Sequence, residues 1–138
     1  DIARTIEHGV RWDADNETRT ETMPAFGRDG LLTSAQISSV ADHVRTLGKL
    51  PGAKSDAKGA KIFDDNCSVC HGVDGKGNKD MGAPDLTDAI WLFGSDKASI
   101  VNRIANGGGG VMPAWKNRLD ETTVKALTVY VHSLGGGQ

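Results

Sequence analysis

A chain of 138 residues has room for one ordinary domain or two very small ones, and 38% hydrophobic with 25% charged residues suits a globular fold and argues against disorder. A net charge of −2 without any Lys/Arg run argues against nucleic acid as a partner. No apolar stretch approaches the roughly 20 residues that span a bilayer, and with only Cys67 and Cys70 present the chain can close one disulfide at most.

The chain opens abruptly on a helical pattern, "DIARTIEHGV", with no basic-then-apolar leader, which predicts a piece of a longer protein. A polar loop, "VRWDADNETRTET", leads to "TMPAFGRDG" at 22–30. Next, "TSAQISSVADHVRTLG" places Ile37, Val40, Val44 and Leu47 at +3, +4, +3 steps on one helical face. Thr33 with Gln36 reads as its capping box, and Gly48 suits a left-handed stop. "GKLPGAKS" has the Pro, Gly and small polar residues of a linker, with 49–54 between the folded segments. From about Ser55 a helix runs into "CSVCHG".

"GVDGKGNKDMGAPDLTD" is a Gly-rich loop without periodicity, "TDAIWLFG" predicts a short helix, and "SDKASIVNRIANG" another with Ser95 as cap. The glycines at 107–110 read as a flexible turn. No phosphate cradle fits them, because no Lys-Ser/Thr follows and no strand precedes. "VMPAWKNR" comes next, then "DETTVKALTVYVHSLG", with Asp120 as cap, Gly135 as stop, and Val124, Leu127, Val131 and Leu134 on one face.

Two segments are copies of one pattern. Residues 2–48 resemble 100–135, with Ile2 over Ile100, Ile6 over Ile104, Gly9 over Gly107 and Met23 over Met112, the first copy carrying the longer loop. "CSVCH" occurs once.

Cys67, Cys70 and His71 fall on one helical turn and point roughly the same way. That spacing lets two thiols reach two vinyl groups with an imidazole under the iron, the signature of covalent haem attachment. A thioredoxin-like redox pair and half a zinc site are the alternatives, and neither explains the rest of the segment. A haem needs a second axial ligand or an open face. Met112, 41 residues after His71 on a loop stiffened by Pro113, is the expected ligand. A thioether there favours the ferrous state. Met81 is the lesser candidate, placed to cover the haem edge. Pro84 offers a carbonyl to the other N–H of His71, Leu86 would pack on the porphyrin, and Trp91 and Arg103 would hold the propionates. His8, His43 and His132 have no ligand-like spacing and are expected at the surface or its boundary. Asp64-Asp65 and Asp120-Glu121 read as solvated faces or caps. No Ser-His-Asp or paired-carboxylate arrangement suggests hydrolysis.

Over 55–138 these landmarks resemble a class I cytochrome c domain: Gly59 and Phe63 on its first helix, "CSVCH", "APDL" and "VMPAW" in order, and Leu127 and Tyr130 on the last helix that crosses the first. The whole chain is similar to the diheme cytochrome c subunit, subunit III, of cbb3-type oxidases, whose second domain carries "GVDGKGN…GAPDLTD…IWL". The family's first Cys-x-x-Cys-His half and its N-terminal membrane anchor are absent. The resemblance implies an all-α fold. Residues 1–48 would be the C-terminal remnant of a first cytochrome c domain, and 55–138 a complete domain around one covalent haem c.

It further implies a non-enzymatic role in one-electron transfer, from a donor cytochrome to the oxidase catalytic subunits on the periplasmic side of the bacterial membrane. Membrane association would come through missing parts or the complex. A cytochrome domain of a periplasmic dehydrogenase and a haem-based ligand sensor are the alternatives. The apolar stripe of residues 37–47, deprived of its own half-domain, is expected to pack on 55–138 or on a second chain, as a dimer or in swapped fashion.

Overall fold

Each long helix begins where a side chain can take the first free amides. Thr33 and Gln36 form the reciprocal capping box at the head of the helix Ser34–Leu47. Asp56 accepts from Gly59 N at 2.6 Å, Asp96 from Ser99 N at 3.0 Å, and Asp120 from Thr123 N at 2.9 Å. The computed structural model describes residues 1–135 and contains α1 (Ile2–His8), α2 (Ser34–Leu47), α3 (Ala57–Asn66), α4 (Ser68–His71), α5 (Lys97–Asn106) and α6 (Glu121–Ser133). Among the described residues the extended pairings are isolated bridges. The all-α expectation therefore holds.

Three local expectations change. The segment around "TDAIWLFG" forms turns instead of a helix. Asp85 and Asp88 bond the amides of Thr87 and Ile90, two residues on, at 2.7 and 2.8 Å, and such Asx turns compete with helical bonding. Asp96, not Ser95, caps α5. Gly48 keeps φ −73, and Lys49 takes the left-handed conformation at φ 52. Gly48 is needed for a close approach, since a Cβ there would lie 2.7 Å from Cζ2 of Trp91.

The chain forms two compact units, Thr22–Gly108 and Asp1–Glu21 with the chain from Gly109 onward. The expected division into 1–48 and 55–138 is thus not the one the packing follows, and residues 136–138 lie outside the described ones. In the Thr22–Gly108 unit α2 packs on α3 and on α5. Ile37, Val40, Ala41 and Val44 of α2 join Ile62, Phe63 and Cys67, and Ile100 and Ile104 of α5, in one core with Phe26 and Leu32. Each such aliphatic side chain contributes about 1.5–3 kcal/mol on burial. The α2 stripe does cover itself on the second repeat, as its exposure would demand. At the α2–α3 crossing a Cβ on Gly59 would strike the Ser39 carbonyl, so glycine permits the close approach.

In the other unit α6 packs on α1, burying Ile6 and Val124. Leu127 and Tyr130, expected on the helix crossing α3, lie on α6 and are 37% and 61% exposed. The repeat explains the exchange. Trp115 N bonds Ile6 O at 3.0 Å in this unit, and Phe26 N bonds Ile104 O at 3.1 Å in the other. Val10 bridges Met112, and Gly108 bridges Met23. These are the same contacts with the two Met-Pro-Ala segments traded. A short linker between Leu47 and Ala57 makes α2 and α3 a local helical hairpin, which closes at lower entropic cost than the return of α6.

Candidate functional site

The end of α3 and the single turn of α4 set out the motif. Cys67 caps α3 through Cys67 N to Phe63 O at 2.8 Å, and His71 N bonds Cys67 O at 2.9 Å. Cys67 is buried, Cys70 and His71 are half-buried, and the two thiols form no disulfide. Burial, then the neighbouring Cys70, pushes the Cys67 thiol up to about 11. That raised thiol runs against the depressed attacking thiol that a thioredoxin-like pair uses. Among the described residues no three His, Cys, Asp or Glu side chains converge, which leaves half a zinc site without further ligands.

The Gly-rich loop returns to His71. Gly77 N bonds His71 O at 2.7 Å, Asn78 and Ala83 bridge, and Leu86 N bonds Gly75 O at 2.7 Å. Gly77, at φ +81, sits against the backbone of residues 83–85 where a side chain would not fit. The result is His71 Nδ1 at 3.1 Å from the Pro84 carbonyl, the contact expected from "APDL". With the proton on Nδ1 donated to Pro84, Nε2 keeps its lone pair for a metal. Burial lowers the His71 pKa against the opposing pull of that carbonyl, favouring the neutral ligand form.

Leu86 and Trp91 pack against the core that contains Cys67. Trp91 Nε1 is buried and has no hydrogen-bond partner. Arg103 bonds Gly107 O and Gly108 O at 3.0 and 2.6 Å and lies 4.2 Å from the Phe93 ring centroid, so it braces the glycine turn. Arg45 of α2 was not singled out by its sequence. Its Nε is likewise buried without a partner, while Nη2 bonds Pro51 O at 2.9 Å. Two orphaned donors in a unit with a Cys-x-x-Cys-His turn suit a prosthetic group that brings carboxylates. The residues present fit a covalent haem on that ground.

The two Met-Pro-Ala methionines fall in different units. Met112 belongs to the α1–α6 unit, where its N and O bond Val10 O and N, each at 2.9 Å. Met23 belongs to the unit of Cys67 and His71. It is half-buried, packs against the core containing Cys67, and its carbonyl accepts from Gly108 N at 2.7 Å. Met112 therefore lies outside the compact unit that holds Cys67 and His71, and Met23 lies within it. The repeat thus carries one Met-Pro-Ala segment in each unit. Met81 is half-buried in the loop, with its amide 3.4 Å from Asn78 Oδ1. Of the remaining histidines, His43 bonds Ser55 Oγ at 2.8 Å and lies against Phe63, burial lowering its pKa, while His132 is exposed.

Helices alone, a Cys-x-x-Cys-His turn and a carbonyl-anchored histidine define a c-type cytochrome. Residues 54–131 match the family described as cytochrome c oxidase, cbb3-type, subunit III. The chain belongs to that family. It is similar to the cbb3-type cytochrome c oxidase subunit FixP of Azorhizobium caulinodans, 58% identical over 139 residues covering 99% of this chain and 46% of that protein. FixP of Bradyrhizobium diazoefficiens is 53% identical, and CcoP of Cereibacter sphaeroides 49%, each matching 99% of this chain and 48% of its own length. The chain thus spans about half the length of these curated relatives. No helix among the described residues is long and apolar enough to cross a membrane.

Proposed function

We propose that this chain is a non-catalytic electron-transfer part of a cbb3-type oxidase. It receives one electron from a donor cytochrome and passes it toward the oxidase catalytic subunits, on the periplasmic side of the bacterial membrane. Bound haem c, one per chain, would supply the one-electron iron couple. Cys67 and Cys70 would hold it covalently, and His71 would be the proximal ligand, its ring fixed by Pro84. Leu86 would pack on the ring, and Trp91 and Arg45 would donate to its carboxylates. Arg103 acts through the glycine turn instead.

On the distal side we assign Met23, in place of Met112. The observation that carries this is the placement of the first Met-Pro-Ala segment and α2 on the unit that holds Cys67 and His71. The test is the ferric absorption spectrum of haem-loaded protein. Met23→Ala abolishes the weak red charge-transfer band of methionine–iron coordination and Met112→Ala leaves it. The reverse pattern returns the role to Met112, and a wild-type protein without the band overturns methionine ligation.

A further inference from the structure

The Met112 segment is held by a buried charge. Asp15 lies in the long loop that only the first repeat carries, and its side chain is 3% exposed. Its carboxylate accepts from Glu17 N at 2.9 Å, faces His8 Nδ1 at 3.2 and 3.3 Å, and pairs with Lys116 Nζ at 2.9 Å. His8 Nε2 in turn lies 3.6 Å from Glu17. The Glu17 amide first, then Lys116, hold the Asp15 carboxyl down at about 2. Lys116 follows Met112 by four residues, so this pair ties the loop of the first repeat to the Met-Pro-Ala segment of the second.

The mirrored contacts give Lys116 a counterpart. Lys116 N bonds Glu7 O at 3.2 Å as Gly27 N bonds Ala105 O at 3.0 Å, so Gly27 is the equivalent position. At Gly27 a Cβ would lie 3.0 Å from both Ala105 Cβ and Ile37 Cδ1, so a lysine there would have to push both aside by a few tenths of an ångström. Conversely, Gly27 placed on α1 would leave the buried Asp15 carboxylate without its cation, a costly loss. Each segment is therefore penalised at the other's seat, and a penalty on the wrong partner is how near-equal partners are sorted.

We propose that Asp15 and Lys116, with the glycine at position 27, are the specificity determinants that assign the second Met-Pro-Ala segment to α1 and so leave Met23 for the Cys67–His71 unit. The proposal rests on the Met23 reading. Its first test, on haem-loaded protein, is hydrogen exchange at the Val10 and Met112 amides, which bond each other's carbonyls. Lys116→Gly and Asp15→Asn lower protection there about ten- to hundredfold, while Lys116→Arg keeps it. Unchanged protection in Lys116→Gly overturns the proposal. The second test exchanges the residues, Gly27→Lys with Lys116→Gly. The charge-transfer band then becomes sensitive to Met112→Ala and insensitive to Met23→Ala. A band that still depends on Met23 overturns the proposal, whereas a band that depends on Met112 in the otherwise unaltered protein refutes the Met23 reading instead.

Discussion

Val40 and Leu127 occupy equivalent positions in the two repeats, and the structure gives them opposite fates. Val40 is fully buried between α2, α3 and α5, and Leu127 is 37% exposed on α6. Val40→Ala removes two methyl groups at about 0.8 kcal/mol each and leaves a cavity in a close-packed core, for a loss of about 2–3 kcal/mol. Leu127→Ala deletes a larger group, yet its exposure limits the loss to about 1 kcal/mol. The assay is guanidinium unfolding of haem-loaded protein followed at the haem absorbance, which reports on the unit bearing Cys67. A substitution of 2–3 kcal/mol lowers the midpoint clearly at constant slope. If α6 were the helix that crosses α3, Leu127 would be the core residue, and Leu127→Ala would cost as much as Val40→Ala or more. That ordering would refute the exchange of helices.

Haem-loaded Arg45→Gln lowers the midpoint potential, on the order of tens of millivolts, because a cation that opposes the ferric charge is lost; an unchanged titration curve removes Arg45 from the site. The depressed Asp15 carboxyl sets an acid limit for its unit: its contribution is whole above the ordinary value near 3.8 and fades as pH falls toward about 2. Amide protection at Val10 therefore declines in that window, and Asp15→Asn, already lacking the charge, shows no such decline. Haem-free protein lacks a cooperative thermal transition in calorimetry, because it loses its covalent staple and keeps Trp91 Nε1 and Arg45 Nε unpartnered; a sharp transition would contradict this.

The helices and the proximal half of the site were legible because their signals are local. The +3, +4, +3 stripes marked α2 and α6, and Thr33–Gln36 marked a cap that forms as read. Cys67, Cys70, His71 and Pro84 lie within one stretch of chain, and the loop between them closes on itself. The turn that holds Trp91 was not legible, since Asp85 and Asp88 divert the backbone from the expected helix. Which Met-Pro-Ala segment shares a unit with His71 was not legible from order along the chain. Motif order places Met112 after His71 and is silent on which of two like segments packs there. Arg45 became visible only through its buried, unpartnered Nε, because nothing in its spacing distinguishes it from a surface cation.

What separates the two halves is a set of small differences at matched positions. Ala41 is wholly buried in the α2 packing, and the same position of α6 holds Thr128. Threonine adds bulk and a hydroxyl where the core has space for a methyl group. Ser39 meets Gly59 through its backbone, and its side chain bonds Asp56, the cap of α3, at 2.8 Å. The matched residue of α6 is Ala126, which has no hydroxyl to give. The linker favours α2 by proximity, the α3 contacts favour it by fit, and Asp15 with Lys116 retains the competing segment on α1. A repeat that had kept its two halves identical would have proximity alone to choose between them. The residues at 27, 39, 41 and 116 make the choice a matter of packing and charge as well.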